Sequence, residues 1–450
     1  MRLDEIFTEE ELASYREALV PYRPPGSYEP GKWMVSPLNR KYGTAEGKFP
    51  HKAKIRDIAL RTSEQISGVA LSVEERTKLL VAIVGAGVPE VVLSAFRRGR
   101  TLEELRGYVE AAKAVAPNCV LHFGNAVKAE EIELAKAAGI DAVQVWSTVF
   151  VGGAMPVSAG AVYHRAWQGR EWRDLNFPSS EEEHINRSRR LIQAALKTGV
   201  KVSGSVNLIH LATEEYVAKY VAAASEEGAY EVMLLDSSGG CTPEAIAQFV
   251  KVAKEVAPAC EIAVHCHNIF GLGISNSLAG LRAGADTAET AVNGYEVGSA
   301  GSQASTSGLA AALEALYGVG TGIDLSKMVE LSKLAEQLVG IAVPGSEPVV
   351  GSQIFESASE DEYEMEANFD RLIHGSIEPS LVGGTRDVRV GVSSGPLGMS
   401  NKLDLLNIKA KKEDIELILE ACKVAMYDRK HSLSDEEIRE IAELQLKISK

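Results

Sequence analysis

From Lys54 to about Gly320, short apolar runs rich in β-branched residues alternate with longer stretches of helical periodicity, the pattern of repeated strand–helix units. The predicted strands are KIRDIAL from Lys54, EVVLSAF from Glu90, CVLHFG from Cys119, DAVQVWS from Asp141, VKVSGSV from Val200, EVMLLD from Glu231, EIAVHCH from Glu261 and DTAETAV from Asp286. Helical stretches follow them, among them VEERTKLLVAIVGAG after Ser72, TEEYVAKYVAAASEEG after Ala212 and TPEAIAQFVKVAKEVAP after Cys241. Ser72 with Glu75, and Thr213 ahead of Glu214 and Glu215, offer side-chain oxygens to the unpaired amides of a first turn. The helices end on repeated phrases (Ala86-Gly87, Ala138-Gly139, Glu227-Gly228, Ala283-Gly284) that suit a left-handed C-cap. Eight such units over roughly 260 residues predict an α/β protein built on a (β/α)8 TIM barrel rather than an open doubly wound sheet.

The flanks read differently. Residues 1–53 begin with an acidic helical stretch and continue as PYRPPGSYEPGKWMVSPLNRKYG, whose prolines and glycines favour an extended arm. Residues 54–320 form the barrel, and residues 321–450 a mainly helical C-terminal region, with helices around Leu325–Val339 and from Lys412 to Lys450. A length of 450 residues suggests about three domains at ~150 residues each, but a closed barrel absorbs ~250 of them as one unit.

Composition narrows the function classes. With 47 Lys and Arg against 62 Asp and Glu, the net charge is -15. Phosphate neutralisation needs clustered cations, and only short basic stretches such as Arg97-Arg98-Gly99-Arg100 occur, so nucleic acid is not an expected partner. A local basic site for a small anion remains compatible with an acidic surface. Five cysteines (Cys119, Cys241, Cys260, Cys266, Cys422) form no CxxC pair and no dense spacing, so the sequence indicates neither a cysteine zinc site nor a disulfide framework, and the expected compartment is reducing. The acidic N-terminus does not read as a signal peptide, and no run approaches ~18 uncharged apolar residues, so the expected location is cytoplasmic, with no membrane partner.

In a barrel, the C-terminal strand ends face the mouth where substrates bind. His265-Cys266-His267-Asn268 ends the seventh strand. Strand alternation turns His265 and His267 to one side, where they can hold one metal ion, and Cys266 to the other. Asn268 follows, and Gly271 and Gly273 open a helix whose amides can face an anion, so these three are assigned to cofactor binding. After the first strand, Arg61 can polarise a carbonyl or stabilise an enolate oxyanion, and Gln65 shares its turn. Asp236, ending the sixth strand in Asp-Ser-Ser-Gly-Gly, can orient a ligand or a metal-binding histidine. Gln144, Ser147, Ser205 and Asn207 are further strand-end polar groups.

These residues resemble a family. HCHN followed by GLGISNSLAGLRAGAD and VNGYEVGSAG, with RDIALRTSEQISGVALSVEER and LLDSSGGCTPEAI, is similar to the metallolyase barrels of the 2-isopropylmalate, homocitrate, citramalate and Re-citrate synthases, hydroxymethylglutaryl-CoA lyase and 4-hydroxy-2-oxovalerate aldolase. VPGSEPVVGSQIF, IEPSLVGGTRDVRVGVSSG and HSLSDEEIREIAEL resemble the linker subdomains of the synthase branch. The resemblance implies a homodimeric barrel that binds a divalent cation (zinc, manganese or magnesium) through His265 and His267, with Arg61 and Asp236 at the site. Its reaction would be Claisen condensation of an acyl-CoA with a 2-oxo acid. Cleavage, as in the lyases and aldolases, or a non-catalytic regulatory role are the alternatives.

The chain also departs from that pattern. Thr62 stands where the family has an aspartate metal ligand directly after the arginine, and Val92 where it has a glutamate ending the second strand. Positions near Ser302 and Gln303 replace the asparagine ligand after the eighth strand. IFESASEDEY replaces the linker segment with two histidines, and Val392 and Ser393 replace a lysine and histidine. Losing a carboxylate ligand predicts weaker binding of Mg²⁺ or Mn²⁺ unless Asp57 or Glu64 takes its place.

Overall fold

Eight parallel strands close into a barrel in chain order: β1 Lys54–Asp57, β2 Glu90–Val92, β3 Val120–Ala126, β4 Ala142–Val145, β5 Lys201–Val206, β6 Glu231–Asp236, β7 Glu261–Cys266 and β8 Thr287–Thr290, with β8 pairing back onto β1. The structure is a computed structural model, and it describes residues 3–39, 41, 49–50, 52–94, 101–126, 129–145, 180–296 and 301–448. The longer helices of the barrel unit are α1 Val73–Gly85, α2 Leu102–Val115, α3 Ala129–Ala137, α4 Glu181–Lys197, α5 Glu214–Glu226, α6 Pro243–Val256, α7 Gly273–Arg282, α8 Thr306–Ala312 and α9 Met328–Val339. The TIM barrel read from the periodicity is therefore the observed fold.

Local chemistry explains the element boundaries. Ser72 and Glu75 make a reciprocal capping box at α1, and the hydroxyls of Thr213 and Thr242 accept the Tyr216 and Ala245 amides at the starts of α5 and α6. Gly87, Gly139, Gly228 and Gly284 all have positive φ, which lets each helix turn back toward its strand. The strands are shorter than their apolar runs where helix formation takes over early, as in KIRDIAL, whose last residues enter the short helix Ala59–Thr62. Trp146 and Ser147 of the fourth run, Ala95 and Phe96 of the second, and Arg97, Arg98 and Arg100 lie outside the described residues.

Each strand sends apolar side chains outward to the helices: Ile55, Val91, Leu121, Val143, Val202, Val232, Val264 and Ala288 are buried there. Glycine at 280 in α7 permits that packing, since a Cβ would lie 2.8 Å from Val264 Cγ1. The inward positions are unusually polar. Arg56 of β1 is fully buried and donates from Nε to Glu90 Oε2 (2.8 Å), from Nη1 and Nη2 to Glu231 (2.9 and 2.7 Å) and from Nη1 to Glu289 (3.4 Å). The Ser203 hydroxyl donates to Glu231 (2.8 Å), Gln144 Nε2 to Glu289 (2.7 Å), and His122 lies 3.2 Å from Glu90. Burial disfavours the charges of Arg56 and Glu90, but the opposing signs prevail: Arg56 stays protonated well above its ordinary range, and Glu90 is held well below the usual carboxylate range.

The chain divides into two compact units, one of residues 40–343 and one combining Met1–Asn39 with Pro344–Lys450. Helix α9 thus belongs with the barrel, where it packs against α1, although the sequence pattern alone separates it there. In the other unit the N-terminal segment is tied to the C-terminal region: Arg16 donates to the Asn368 carbonyl (2.6 Å), Tyr28 to Asp370 (2.9 Å), and Trp33 bridges Ile377. Three helices, α10 Pro396–Leu405, α11 Lys412–Arg429 and α12 Asp435–Ile448, bury Met399, Leu403, Ile418, Cys422, Ile438 and Ala442 as a core of their own. All five cysteines are free and buried, and no described helix is long and apolar enough to cross a membrane.

Replacing Arg56 by Met leaves three buried carboxylates without their shared cation. The expected loss is about 3–5 kcal/mol of unfolding free energy, read from urea denaturation; a loss under about 1 kcal/mol would show that the network is dispensable.

Candidate active site

β7 delivers His265 to the barrel interior and Cys266 to the opposite face, and His267 follows in the loop with its ring centroid 5.0 Å from that of His265. Both histidines are buried, at 2% and 4% exposure. His265 Nδ1 lies 2.9 Å from Glu289 Oε2. Glu289 is ionised in this setting: burial works to raise its pKa, but the His265 hydrogen bond and the charges of Arg56 and Arg61 hold it at about 2. A carboxylate facing Nδ1 favours the proton there, which leaves Nε2 as the nitrogen with a lone pair to offer. The same Glu289 links the histidine to Gln144 and Arg56, so the ionic layer of the barrel is also the support of the site.

A third potential ligand is Glu296, in the loop after β8. Ligand atoms of His265, His267 and Glu296 all lie within 4.8 Å of one another, and all three residues are buried. Two imidazoles and a carboxylate suit a divalent cation of borderline character. The carboxylates of Glu64 and Asp57 are engaged by other groups. Glu64 pairs with buried Arg76 (2.7 Å), and Asp57 accepts from the Ala59 amide (2.9 Å) and the Thr306 hydroxyl (2.6 Å). Thr62 is buried and donates its hydroxyl toward the Tyr295 carbonyl (2.7 Å) and the Ile58 carbonyl (3.1 Å). Val92 is fully buried apolar packing. The 302–303 segment returns alongside the histidines: Gln303 bridges His267, and the Asn268 amide donates to the Ser302 carbonyl (2.7 Å).

Arg61 lies in the short helix after β1, 6% exposed, and its charge is felt by Glu289. Gly124 makes its space: a Cβ there would sit 2.9 Å from Val92 Cγ1, 3.2 Å from Gln144 Oε1 and 3.4 Å from Arg61 Cδ. Arg61, Gln144, Glu289 and His265 therefore form one continuous interior cluster. Gln65 is half-buried in the next turn.

Asp236 does not point at a ligand with a free oxygen. Its Oδ1 accepts the Gly240 amide (2.9 Å) and its Oδ2 the Cys241 amide (3.0 Å), folding the Ser237–Gly240 loop back on itself. That loop packs on the histidine segment: Gly239 has φ +65, and a Cβ on it would lie 3.1 Å from the His267 carbonyl oxygen. Asp236 is thus placed to shape the mouth. Asn268 likewise spends its side-chain oxygen on the Gly273 amide (2.8 Å) at the start of α7, so that amide already has an acceptor. Gly271 is exposed, and its positive φ of 74° makes the turn into α7. Ser205 donates to the Val145 carbonyl (2.7 Å), Asn207 is buried nearby on the loop after β5, and Ser147 lies outside the described residues.

Sequence reasoning missed Glu289, Glu296 and His210. Glu289 and Glu296 look like ordinary acidic residues in a strand and a loop, and only closure of β8 onto β1 and β7 brings them inward. His210, in the loop after β5, lies 3.0 Å from the Ser238 hydroxyl and 3.9 Å from Asp236.

The model of the HMGL-like family matches residues 52–335. The chain is 28% identical over 406 residues to a probable 2-isopropylmalate synthase of Ignicoccus hospitalis, covering 88% of this chain and 92% of that protein. It is 26% identical over 393 residues to a homocitrate synthase of Methanothermobacter thermautotrophicus, covering 87% and 93%. Among solved structures, hydroxymethylglutaryl-CoA lyase from Pseudomonas aeruginosa superposes with a TM-score of 0.53 at 19% identity, covering 66% of this chain and 95% of that one; at that identity the likeness concerns the fold.

Asp57 provides a test of the buried network beside the site. Burial raises its pKa to about 6, against the hydrogen bonds from Thr306 and Ala59. An unfolded aspartate titrates near ~3.9, so between pH ~4 and ~6 the folded chain holds a proton that the unfolded chain has lost. This contribution to stability is complete below pH ~4 and is lost as pH rises through ~6, by about 3 kcal/mol. Asp57→Asn should flatten that decline in urea midpoints measured from pH 4 to 7; identical pH slopes in both proteins would contradict the assignment.

Proposed function

The chain belongs to the HMGL-like family, and on that premise we propose that it is a carbon–carbon bond-forming acyltransferase that condenses an acyl-CoA with a 2-oxo acid. The observation that carries this reading is the extent of the likeness to the synthases. It runs over 88% of the chain and 92% of a 2-isopropylmalate synthase, well past the barrel covered by the family match at residues 52–335.

The residues at the site support such chemistry. His265 and His267 would hold a divalent cation, with Glu289 fixing the tautomer of His265. When bound there, the cation supplies Lewis acidity toward the oxo acid's carbonyl and carboxylate. Arg61, buried next to the carboxylate cluster, is a fixed cation for the oxygen that becomes negative as the new bond forms. In that step the α-carbon of the acyl group, having lost a proton, attacks the 2-oxo carbon, and the carbonyl π pair becomes an alkoxide that is then protonated. Water cleaves the thioester, releasing CoA thiol and a second carboxylate. Asp236 acts through backbone: by accepting the Gly240 and Cys241 amides it keeps the loop against His267. Asn268, Gly271 and Gly273 shape the turn into α7 at the same rim, where the acyl-CoA is proposed to enter.

Two measurements test this. Purified protein supplied with a divalent metal, a panel of 2-oxo acids and acetyl-, propionyl- or malonyl-CoA should release free thiol in one pairing; thiol release in none, with cleavage of a hydroxyacyl-CoA or 4-hydroxy-2-oxo acid instead, would reverse the direction assigned. Arg61→Ala should lower kcat by about 10²–10³-fold while the melting temperature stays within a few degrees. An unchanged rate would remove Arg61 from the chemistry.

A further inference from the structure

Resting on the metal-dependent reading above, we infer that Glu296 supplies the anionic metal ligand that the chain lacks at position 62, and that Thr62 is the positioning residue that holds Glu296 in reach. In this chain the carboxylate comes from the loop after β8, and Thr62, after β1, anchors that loop.

Three observations converge on this assignment. First, the donor atoms of His265, His267 and Glu296 share one buried space, within 4.8 Å of one another. Ligands at ~2.0–2.2 Å from a common cation need only modest side-chain rotation from that arrangement. Second, His265 is already oriented for ligation by Glu289, so the cluster is not three side chains meeting by chance at a surface. Third, the residues just before Glu296 are strapped down. The Tyr295 carbonyl accepts the Thr62 hydroxyl (2.7 Å), its phenol donates to the Ile341 carbonyl (2.6 Å), Asn293 donates to the Ser332 carbonyl (2.9 Å), and the Gly294 carbonyl accepts the Gln303 amide (3.0 Å).

The bond between Thr62 and Tyr295 also explains why the two arrangements are alternatives. A hydroxyl can donate to the Tyr295 carbonyl, whereas an ionised aspartate only accepts. An aspartate at 62 would set its charge against that carbonyl oxygen and release the strap beside Glu296. With Thr62 the strap forms, and the negative charge comes from Glu296 instead. The resulting set of two imidazoles and one carboxylate favours a borderline transition cation such as Zn²⁺ over Mg²⁺, which prefers an all-oxygen shell. Three protein ligands leave coordination positions open for a bidentate 2-oxo acid.

The test is Zn²⁺ binding to chelator-stripped full-length protein, by calorimetry and by the rise in melting temperature that Zn²⁺ produces within each variant, so that a change in baseline stability cancels. Wild type should bind about one ion, and His265→Ala should bind none at the same concentrations. Glu296→Gln should bind at least about tenfold more weakly with a correspondingly smaller rise. Thr62→Val, which keeps the shape and removes the hydroxyl, should weaken binding several-fold at unchanged stoichiometry. Wild-type affinity in Glu296→Gln, alongside loss in His265→Ala, would overturn this inference and leave the proposed function standing; wild-type affinity in Thr62→Val would remove Thr62 from it. Failure of wild type itself to bind Zn²⁺ would overturn the metal-dependent reading on which it rests.

Discussion

Arg56 sits at the centre of the barrel with no exposure to solvent and answers three carboxylates at once, those of Glu90, Glu231 and Glu289. A guanidinium in a low-dielectric interior is tolerated only where its donors are filled and its charge is matched. The strands that carry its partners are β2, β6 and β8, so one side chain ties together distant parts of the ring. Because β8 also closes on β1, this cluster fixes the register of the seam: Glu289 lies opposite Arg56 on one side and His265 on the other.

The site depends on that layer. Glu289 is held ionised among cations and in turn holds His265, while Gln144 and Arg61 complete the same cluster from β4 and the turn after β1. A barrel filled with Val, Ile and Leu would give the same shape with nothing to orient an imidazole. Here the histidine, Gln144 and the carboxylates make a polar layer inside the barrel, and Met233, Leu235 and Ala263 form a small apolar cluster beside it. Hydrophobic stabilisation comes instead from the outer faces of the strands against the ring of helices.

Much of this was legible in order along the chain. The alternation of runs, the Ser72 and Thr213 caps and the glycine phrases at helix ends are local signals, and the elements formed where they indicated. The His265 and His267 pair was legible for the same reason, since strand periodicity alone turns both to one face. Asp236 and Asn268 sit where strand-end polar residues usually face the mouth, and their oxygens accept backbone amides of their own loops. Such short-range bonds depend on loop conformation, which the residue types leave open. The tie between the N-terminal segment and residues 344–450 joins positions more than three hundred residues apart, and no periodicity reports on that.

The sequence by itself determined the fold class, the pair of histidines and the arginine beside them, and the absence of an aspartate after that arginine, because these follow from periods of two and 3.6 residues and from residue identity. Only the tertiary structure decided which carboxylates lie beside the histidines. Asp57 and Glu64, near Arg61 in the chain, are bound to Thr306 and Arg76, whereas Glu289 and Glu296 arrive from the far end of the barrel. The reason is topological. Closing a cylinder makes its first and last strands neighbours, so the groups that complete a site at β1 come from β8, at a separation along the chain that local pattern cannot register.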